Sequence, residues 1–373
     1  MIVHVVRQFP PSRGGIEDCV HNLCRSQRSH YELDARVITL NRLFQEPGRL
    51  LPCEAHEDDI PIQRISYRGS SRYPLAPSVL WYIRDADLVH VHGIDFFFDY
   101  LAWTRAYHQK PIVASTHGGF FHTSFAAAFK NLYFNTVTRL SSRWYDAVVA
   151  VSTPDYDIFN RLISKHLLLI ENGINHLKFA DAASLSHRRV LMYFGRFAPH
   201  KGITKLFSLL AQLSPTWHLV LAGSPWGMEI ATLHAAATQC GVKDRVEFLL
   251  QPDDAALREA MGRASYFVSA SEFEGFGLTA VEAMSAGLVP VLSAIPPFRK
   301  LVDSTGVGVV FDPAEPEGAA RCLERWSRCS PAEQYAARQN AIAAAMPYDW
   351  RSRAGAYVDL YRSVLADRKA VPA

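Results

Sequence analysis

No apolar run in the 373 residues approaches the roughly 18 that a membrane-spanning helix needs. The opening Met1-Ile-Val-His-Val-Val6 reads as a strand; it lacks the basic region and apolar core of a signal peptide. The six cysteines (Cys19, Cys24, Cys53, Cys240, Cys322 and Cys329) form no Cys-x-x-Cys pair and have no matching histidine cluster. That argues against a zinc site, and a disulfide framework is not expected in a chain of this size. An excess of one charge is missing too. Against 39 Lys and Arg stand 36 Asp and Glu, a net of +3, too balanced for a dedicated nucleic-acid binder. With 49% hydrophobic and 20% charged residues the bulk of the chain is not disordered. These absences predict a cytoplasmic protein, or one that meets a membrane only from its surface. One absence is local. No acidic residue lies between Asp99 and Asp146, a stretch that carries Arg105, Lys110, Lys130, Arg139 and Arg143.

What is present is a series of short apolar runs, each followed by a helix-like stretch. They are Ile2–Val6, Val37–Leu40, Leu88–Val91, Ile112–Ser115, Ala147–Val151 and Leu167–Ile170, then Val190–Phe194, His218–Ala222, Val246–Leu249, Tyr266–Ser269, Val289–Leu292 and Gly308–Phe311. Short, β-branched and unalternating, they read as strands buried on both faces of parallel sheets. Twelve strands exceed one typical sheet, so the pattern predicts an α/β protein of two doubly wound domains. Asn172-Gly173 supplies a turn at the boundary. The expected division is 1–172 and 173–346, with a helical segment at 347–373 packing back on the first domain. A (β/α)8 barrel is disfavoured by that punctuation and by the second strand series.

Three strand–helix junctions carry chemistry. Gly14-Gly15 follows the first strand, where glycine lets backbone N–H groups approach an anion at a helix N-terminus. The spacing is not Gly-x-Gly-x-x-Gly, so a nicotinamide cofactor is not indicated. Gly195-Arg196-Phe-Ala-Pro-His-Lys201-Gly202 follows Val190–Phe194. Its two cations leave one strand end and can converge on the crevice where open α/β sheets bind ligands; arginine and lysine there suit phosphate oxygens. Glu274-Gly-Phe-Gly277, with Glu282 on the following helix, places two carboxylates where they can accept from sugar hydroxyls. The N–H groups of Phe276, Gly277 and Leu278 are available to a phosphate. Asp85-Ala-Asp87 precedes a strand and reads as surface. His90 and His92 share a face of one strand, but no third ligand has metal-site spacing, so they read as polar residues near the crevice.

These motifs together resemble the family 4 retaining glycosyltransferases. Gly14-Gly15, Leu88-Val-His-Val-His92-Gly93, Thr116-His117-Gly118, Asn172-Gly-Ile-Asn175, Gly195-Arg196…Lys201-Gly202 and Glu274…Glu282 occur in the family's order across almost the whole chain. Thr116-His-Gly-Gly-Phe-Phe-His-Thr123, with His4-Val-Val-Arg-Gln-Phe9, is similar to the α-mannosyltransferases that extend polyprenyl-diphosphate-linked cellobiose in exopolysaccharide assembly. The resemblance implies a GT-B fold, two facing Rossmann-like domains with the donor held mainly by the second. It implies GDP-mannose as donor, a lipid-linked oligosaccharide as acceptor, no nucleic-acid partner and no metal cofactor. By residue it implies Arg196 and Lys201 at the donor diphosphate, where Gly15 and the N–H groups of Phe276, Gly277 and Leu278 are expected to lie as well. Glu274 would lie at the donor sugar, Glu282 at the ribose, and His117 near the reacting centre. Another nucleotide sugar such as UDP-glucose, a GT-B epimerase or hydrolase, and a non-catalytic nucleotide-sugar-binding subunit remain alternatives.

The acid-free stretch has two readings. The helical spacing of Phe125, Phe129 and Leu132 fits a core-facing stripe. Phe120, Phe121, His122, Lys130, Arg139 and Arg143 also fit an acceptor-side surface that docks on an anionic membrane, on the inner face of the cell membrane.

Overall fold

The computed structural model describes residues 1–12, 14–46, 48–118, 131–163 and 166–370. They form two units, Met1–Gly173 with Trp350–Ala373, and Ile174–Asp349.

In the first unit the strands are β1 (Ile2–Val6), β2 (Ala35–Leu40), β3 (Glu54–Glu57), β4 (Ile60–Ile65), β5 (Arg68–Ser70), β6 (Tyr73–Leu75), β7 (Leu88–His92), β8 (Ile112–Ser115), β9 (Ala147–Ala150) and β10 (Leu167–Leu169). Eight of them make one sheet in the order β10-β9-β8-β7-β1-β2-β4-β3. All its pairs are parallel except β3 on β4. The chain winds from β1 outward to β2 and β4, then returns to build the other half from β7. The order therefore reverses between β1 and β7. Every residue of β1, β7, β8 and β9 is buried, as apolar runs sandwiched between helices must be.

In the second unit β11 (Val190–Phe194), β12 (His218–Gly223), β13 (Val246–Leu250), β14 (Tyr266–Ser269), β15 (Val289–Ser293) and β16 (Val309–Phe311) form an all-parallel sheet in the order β13-β12-β11-β14-β15-β16. This is the doubly wound Rossmann order, two βαβαβ halves meeting at a reversal between β11 and β14. Two apolar layers sandwich it. One holds Trp217, Phe207 and Leu210, the other Phe267, Phe298 and Met284.

All twelve expected strands are present. The sequence reading missed β3 to β6 because they are not apolar runs. β3 is a mostly exposed edge, β4 alternates inward Ile60 and Ile62 with Pro61 and Gln63, and β5 and β6 form a small exposed hairpin. The turn Met346–Tyr348 belongs to the second unit, and the helix of the first unit begins at Trp350. That helix buries Ala354, Tyr357, Val358, Tyr361 and Val364. Its apolar cluster includes Leu88, Val113 and Val149 of the sheet.

The second sheet closes tightly at its carboxyl end. A Cβ on Gly223 would lie 1.8 Å from the Gly195 carbonyl oxygen, so backbone rather than a side chain would have to move. Gly223→Ala is expected to destabilise the protein by roughly 2–4 kcal/mol and lower the melting temperature by about 5–10 °C in calorimetry. An unchanged transition would show that the two strand ends are not held in contact.

Candidate active site

Both order reversals are where an open α/β sheet leaves a crevice at its carboxyl end, and the candidate residues collect there, unit by unit. In the second unit the loop after β11 turns through Pro199–Lys201 into helix Ile203–Ala211. Gly202 makes this possible. Its φ is +61°, and a Cβ there would lie 2.2 Å from the Ala270 carbonyl oxygen at the end of β14. The Glu272 N–H donates to the His200 carbonyl at 2.8 Å, tying the loops after β11 and β14 across the reversal. Lys201 then meets Glu274, with Nζ 2.7 Å from Oε1. Ser271 Oγ donates to the same oxygen at 2.7 Å. Among the described residues Oε2 receives no hydrogen bond, so Glu274 keeps an open acceptor.

Arg196 is exposed and lies over Trp226, its guanidinium carbon 5.1 Å from the ring centre. The two cations therefore have different anchors, a carboxylate for Lys201 and an indole for Arg196. Trp226 is not among the residues that the sequence motifs single out. Its signal is position alone, three residues past the end of β12. Backbone hydrogen bonds between Phe197 and both Ser224 and Trp226 hold the two loops together. Tyr193 Oη donates to the Arg196 carbonyl at 2.9 Å.

Helix Leu278–Ala286 starts at Gly277 with no side-chain cap, so its first N–H groups have no side chain competing for them. Phe276 precedes it, with its ring 5.4 Å from that of Tyr348. Glu282 lies half-buried on the helix. A separate cavity of about 320 Å³, bordered by Tyr266, Val289 and Trp326, opens at the amino-terminal ends of β14 and β15. That is the opposite end of the sheet from Glu274.

In the first unit Gly15 begins helix Gly15–Tyr31, also without a side-chain cap, and a Cβ there would meet no atom within 4 Å. A cleft of about 90 Å³ beside it is lined by Arg7, Gln8, Glu17, Phe44 and His92, among others. The β1–β7 register sets His4 beside His90. His90 and His92 therefore do have a third imidazole, against the sequence expectation. It was invisible because only the sheet brings residue 4 to residue 90. The three rings offer nitrogens within 4.8 Å of one another, an arrangement that could hold a metal ion. Each ring nitrogen is already engaged, however, by Gln27, Ser115, Tyr361, His117 or another imidazole. Burial lowers His4 to about 4 even though its hydrogen bond to Gln27 works the other way. Desolvation likewise lowers His117 to about 4 and holds His90 and His92 well below the usual imidazole range. All four are neutral near pH 7. His117, two residues past β8, is half-buried with φ +50°.

Asp85 and Asp87 are exposed, as expected of surface residues. Phe120, Phe121, His122 and Lys130, like Phe125 and Phe129, lie outside the described residues. The part of that stretch that is described presents two faces. Phe134, Thr138 and Ser141 are buried, whereas Arg139 and Arg143 are exposed beside Leu132, Leu140 and Trp144, whose exposures are 62%, 51% and 49%. Among the described residues no helix is long and apolar enough to cross a membrane.

Residues 13–176 match the family described as Glycosyltransferase Family 4, and residues 177–344 the family described as Glycosyl transferases group 1. The chain is 46% identical to the GDP-mannose:cellobiosyl-diphosphopolyprenol alpha-mannosyltransferase of Komagataeibacter xylinus, over 100% of this chain and 94% of that protein. It is 43% identical to the protein of the same description from Xanthomonas oryzae pv. oryzae, over 98% of this chain and 97% of that one. Among solved structures, Anabaena Alr3699/HepE in complex with UDP superposes with a TM-score of 0.76 at 21% identity, covering 97% of this chain and 99% of that chain. Sucrose-phosphate synthase from Thermosynechococcus elongatus gives 0.74 at 20% identity, covering 98% and 99%. At these identities the two structures speak to the fold alone.

Proposed function

The chain belongs to glycosyltransferase family 4, with the GT-B pairing of two Rossmann-like units, and from this we infer that it is a retaining α-mannosyltransferase. It moves mannose from GDP-mannose to a cellobiose unit carried on polyprenyl diphosphate, the substrates for which its relatives are named. The observation that carries the reading is the Lys201–Glu274–Ser271 cluster, set at the reversal of a doubly wound parallel sheet just before an uncapped helix N-terminus.

In the proposed reaction Arg196, Lys201 and the N–H groups of Phe276, Gly277 and Leu278 hold the donor diphosphate. Glu282 accepts from the ribose, Glu274 Oε2 accepts from a mannose hydroxyl, and Gly15 leaves room for close backbone approach. The bond between the anomeric carbon and the diphosphate oxygen breaks. An acceptor hydroxyl forms the new bond on the same face, and its proton passes to the departing diphosphate. No protein base is needed. The main task is to stabilise the negative charge that develops on GDP, which fixed cations and helix N–H groups do from a preorganised position.

We propose that this charge work requires no metal. Activity is expected to persist in EDTA; loss in EDTA restored by Mn²⁺ would overturn the point. The acceptor is lipid-linked, and we place the enzyme on the cytoplasmic face of an anionic membrane. The exposed Arg139 and Arg143 beside Leu132, Leu140 and Trp144 support this, each basic residue near such a surface contributing about 1 kcal/mol. The deciding experiment incubates radiolabelled GDP-mannose with polyprenyl-diphosphate cellobiose. A labelled lipid-linked trisaccharide sensitive to α-mannosidase is expected. Transfer from UDP-sugars alone would sink the mannose assignment.

A further inference from the structure

Three imidazoles of the first unit, His4, His92 and His117, are joined nitrogen to nitrogen, and one amide decides which way their protons point. Gln27 Oε1 can only accept, so His4, with Nε2 2.8 Å away, donates through Nε2. A neutral imidazole carries one N–H. His4 Nδ1 is therefore an acceptor and takes the Nε2–H of His92 at 2.9 Å. His92 Nδ1 in turn takes the Nε2–H of His117 at 3.1 Å. The Nδ1 of His117 is left as a bare lone pair with no partner among the described residues.

The other end of the same amide sets a second chain. Gln27 Nε2 donates to Tyr361 Oη at 3.2 Å. The Tyr361 hydroxyl donates to His90 Nδ1 at 2.6 Å, and His90 Nε2 donates to Ser115 Oγ at 2.8 Å. Burial keeps every ring in both chains neutral, so no member can switch its bonds by taking a second proton at pH 7.

We propose that Gln27, His4 and His92 are positioning residues that hold His117 as its Nε2–H tautomer, so that Nδ1 accepts a hydrogen bond from a sugar hydroxyl at the reacting centre. The role for that hydroxyl rests on the proposed glycosyl transfer; the tautomer does not. None of the three need touch substrate. Their effect reaches His117 through the order of donors and acceptors along the chain. Reversing the Gln27 amide would reverse every bond and place a proton on His117 Nδ1, which would then repel an approaching hydroxyl hydrogen.

The test is long-range ¹H–¹⁵N spectroscopy of the full-length, ¹⁵N-histidine-labelled protein without substrate, with His117 assigned from His117→Gln. Wild type is expected to show a protonated Nε2 and an unprotonated Nδ1. A protonated Nδ1 would overturn the proposal. Gln27→Leu removes the fixed acceptor, and the His117 signals are expected to move to a mixture of tautomers; an unchanged tautomer would overturn the relay. Gln27→Glu keeps an acceptor oxygen toward His4 and is expected to keep the wild-type tautomer, and losing it there would count against the proposal. In the transfer assay Gln27→Leu is expected to lower kcat roughly 10-fold, the loss of one hydrogen bond, with donor KM little changed. A raised donor KM at unchanged kcat would remove His117 from the reacting centre. The spectroscopic arm needs no substrate, so it stands or falls apart from the identity of the donor sugar.

Discussion

Glu274→Ala is expected to lower kcat for mannosyl transfer roughly 10²- to 10³-fold, the loss typical of removing one preorganised group at a reacting centre. Two effects combine. The open Oε2, proposed to accept a mannose hydroxyl, is lost. So is the oxygen that fixes Lys201, whose Nζ lies 2.7 Å away. Lys201 then gains rotamer freedom and meets the departing diphosphate from a dispersed set of positions rather than one. Glu274→Gln separates these effects. Its amide oxygen still accepts a hydrogen bond but no longer holds the ammonium by charge, so a smaller loss of about 10-fold is expected. Lys201→Ala should raise the KM for GDP-mannose as well as lower kcat, because its charge acts on the diphosphate both before and during transfer. Initial rates over a range of donor concentrations read all three variants. If Glu274→Ala retained more than about a tenth of the wild-type kcat, the carboxylate would not be at the reacting centre.

Acidification is expected to unfold the first unit early. His4, His90 and His92 are buried and held neutral by desolvation, each well below the ordinary 6.5. The unfolded chain takes up protons at these residues below pH 6.5, whereas the folded chain refuses them down to about 4 at His4. Stability therefore falls as pH drops through that window. At pH 5.5 His4 alone removes about 1 kcal/mol, and His90 and His92 act in the same direction. Two carboxyls work in the opposite direction. Burial pushes Asp95 up to about 6 against the pull of Arg7, and burial also raises Asp99 against hydrogen bonds from Tyr133, Ser141 and Tyr73. Such groups bind protons first in the folded state. Asp95 returns about 1 kcal/mol at pH 5.5. With His4 and Asp95 nearly offsetting each other, the two further buried histidines tip the balance toward a net loss, and against a typical net stability of about 5–15 kcal/mol a loss of even a few kcal/mol is large. Calorimetry should show a transition that falls by a few °C between pH 7.5 and 5.5. A flat or rising transition would mean that the histidines titrate in the folded state.

The strands most readily identified in the sequence are those whose faces are both covered, because their apolar runs need no partner to be recognised. β4 escaped because half of it alternates, and β3 because an edge strand of Glu54-Ala-His-Glu57 carries no apolar signal. The site shows the same divide. Lys201 and Glu274 are each conspicuous beside glycine at a strand end. Their bond was not legible, because it depends on β11 and β14 being neighbours across the sheet reversal. The histidine chain is the extreme case. His90 and His92 announce a shared face by their spacing. His4, Gln27 and Tyr361 join them from β1, from the helix that follows it, and from a helix near the other end of the chain. No local pattern couples those positions; only the parallel register does.

That last helix also bears on how the protein is made. Tyr357 and Tyr361 bond Ser115 and His90 and help cover the sheet face that contains Leu88, Val113 and Val149. A ribosome translates Ile174–Asp349 before it reaches them. The second unit, continuous in sequence, can complete its packing on the nascent chain, while the first emerges earlier and waits with one face of its sheet open. The usual amino-to-carboxyl order of domain completion is inverted. During that interval an apolar sheet face stands uncovered, and truncation before Tyr357 would leave a complete second unit beside a first unit whose sheet face stays open.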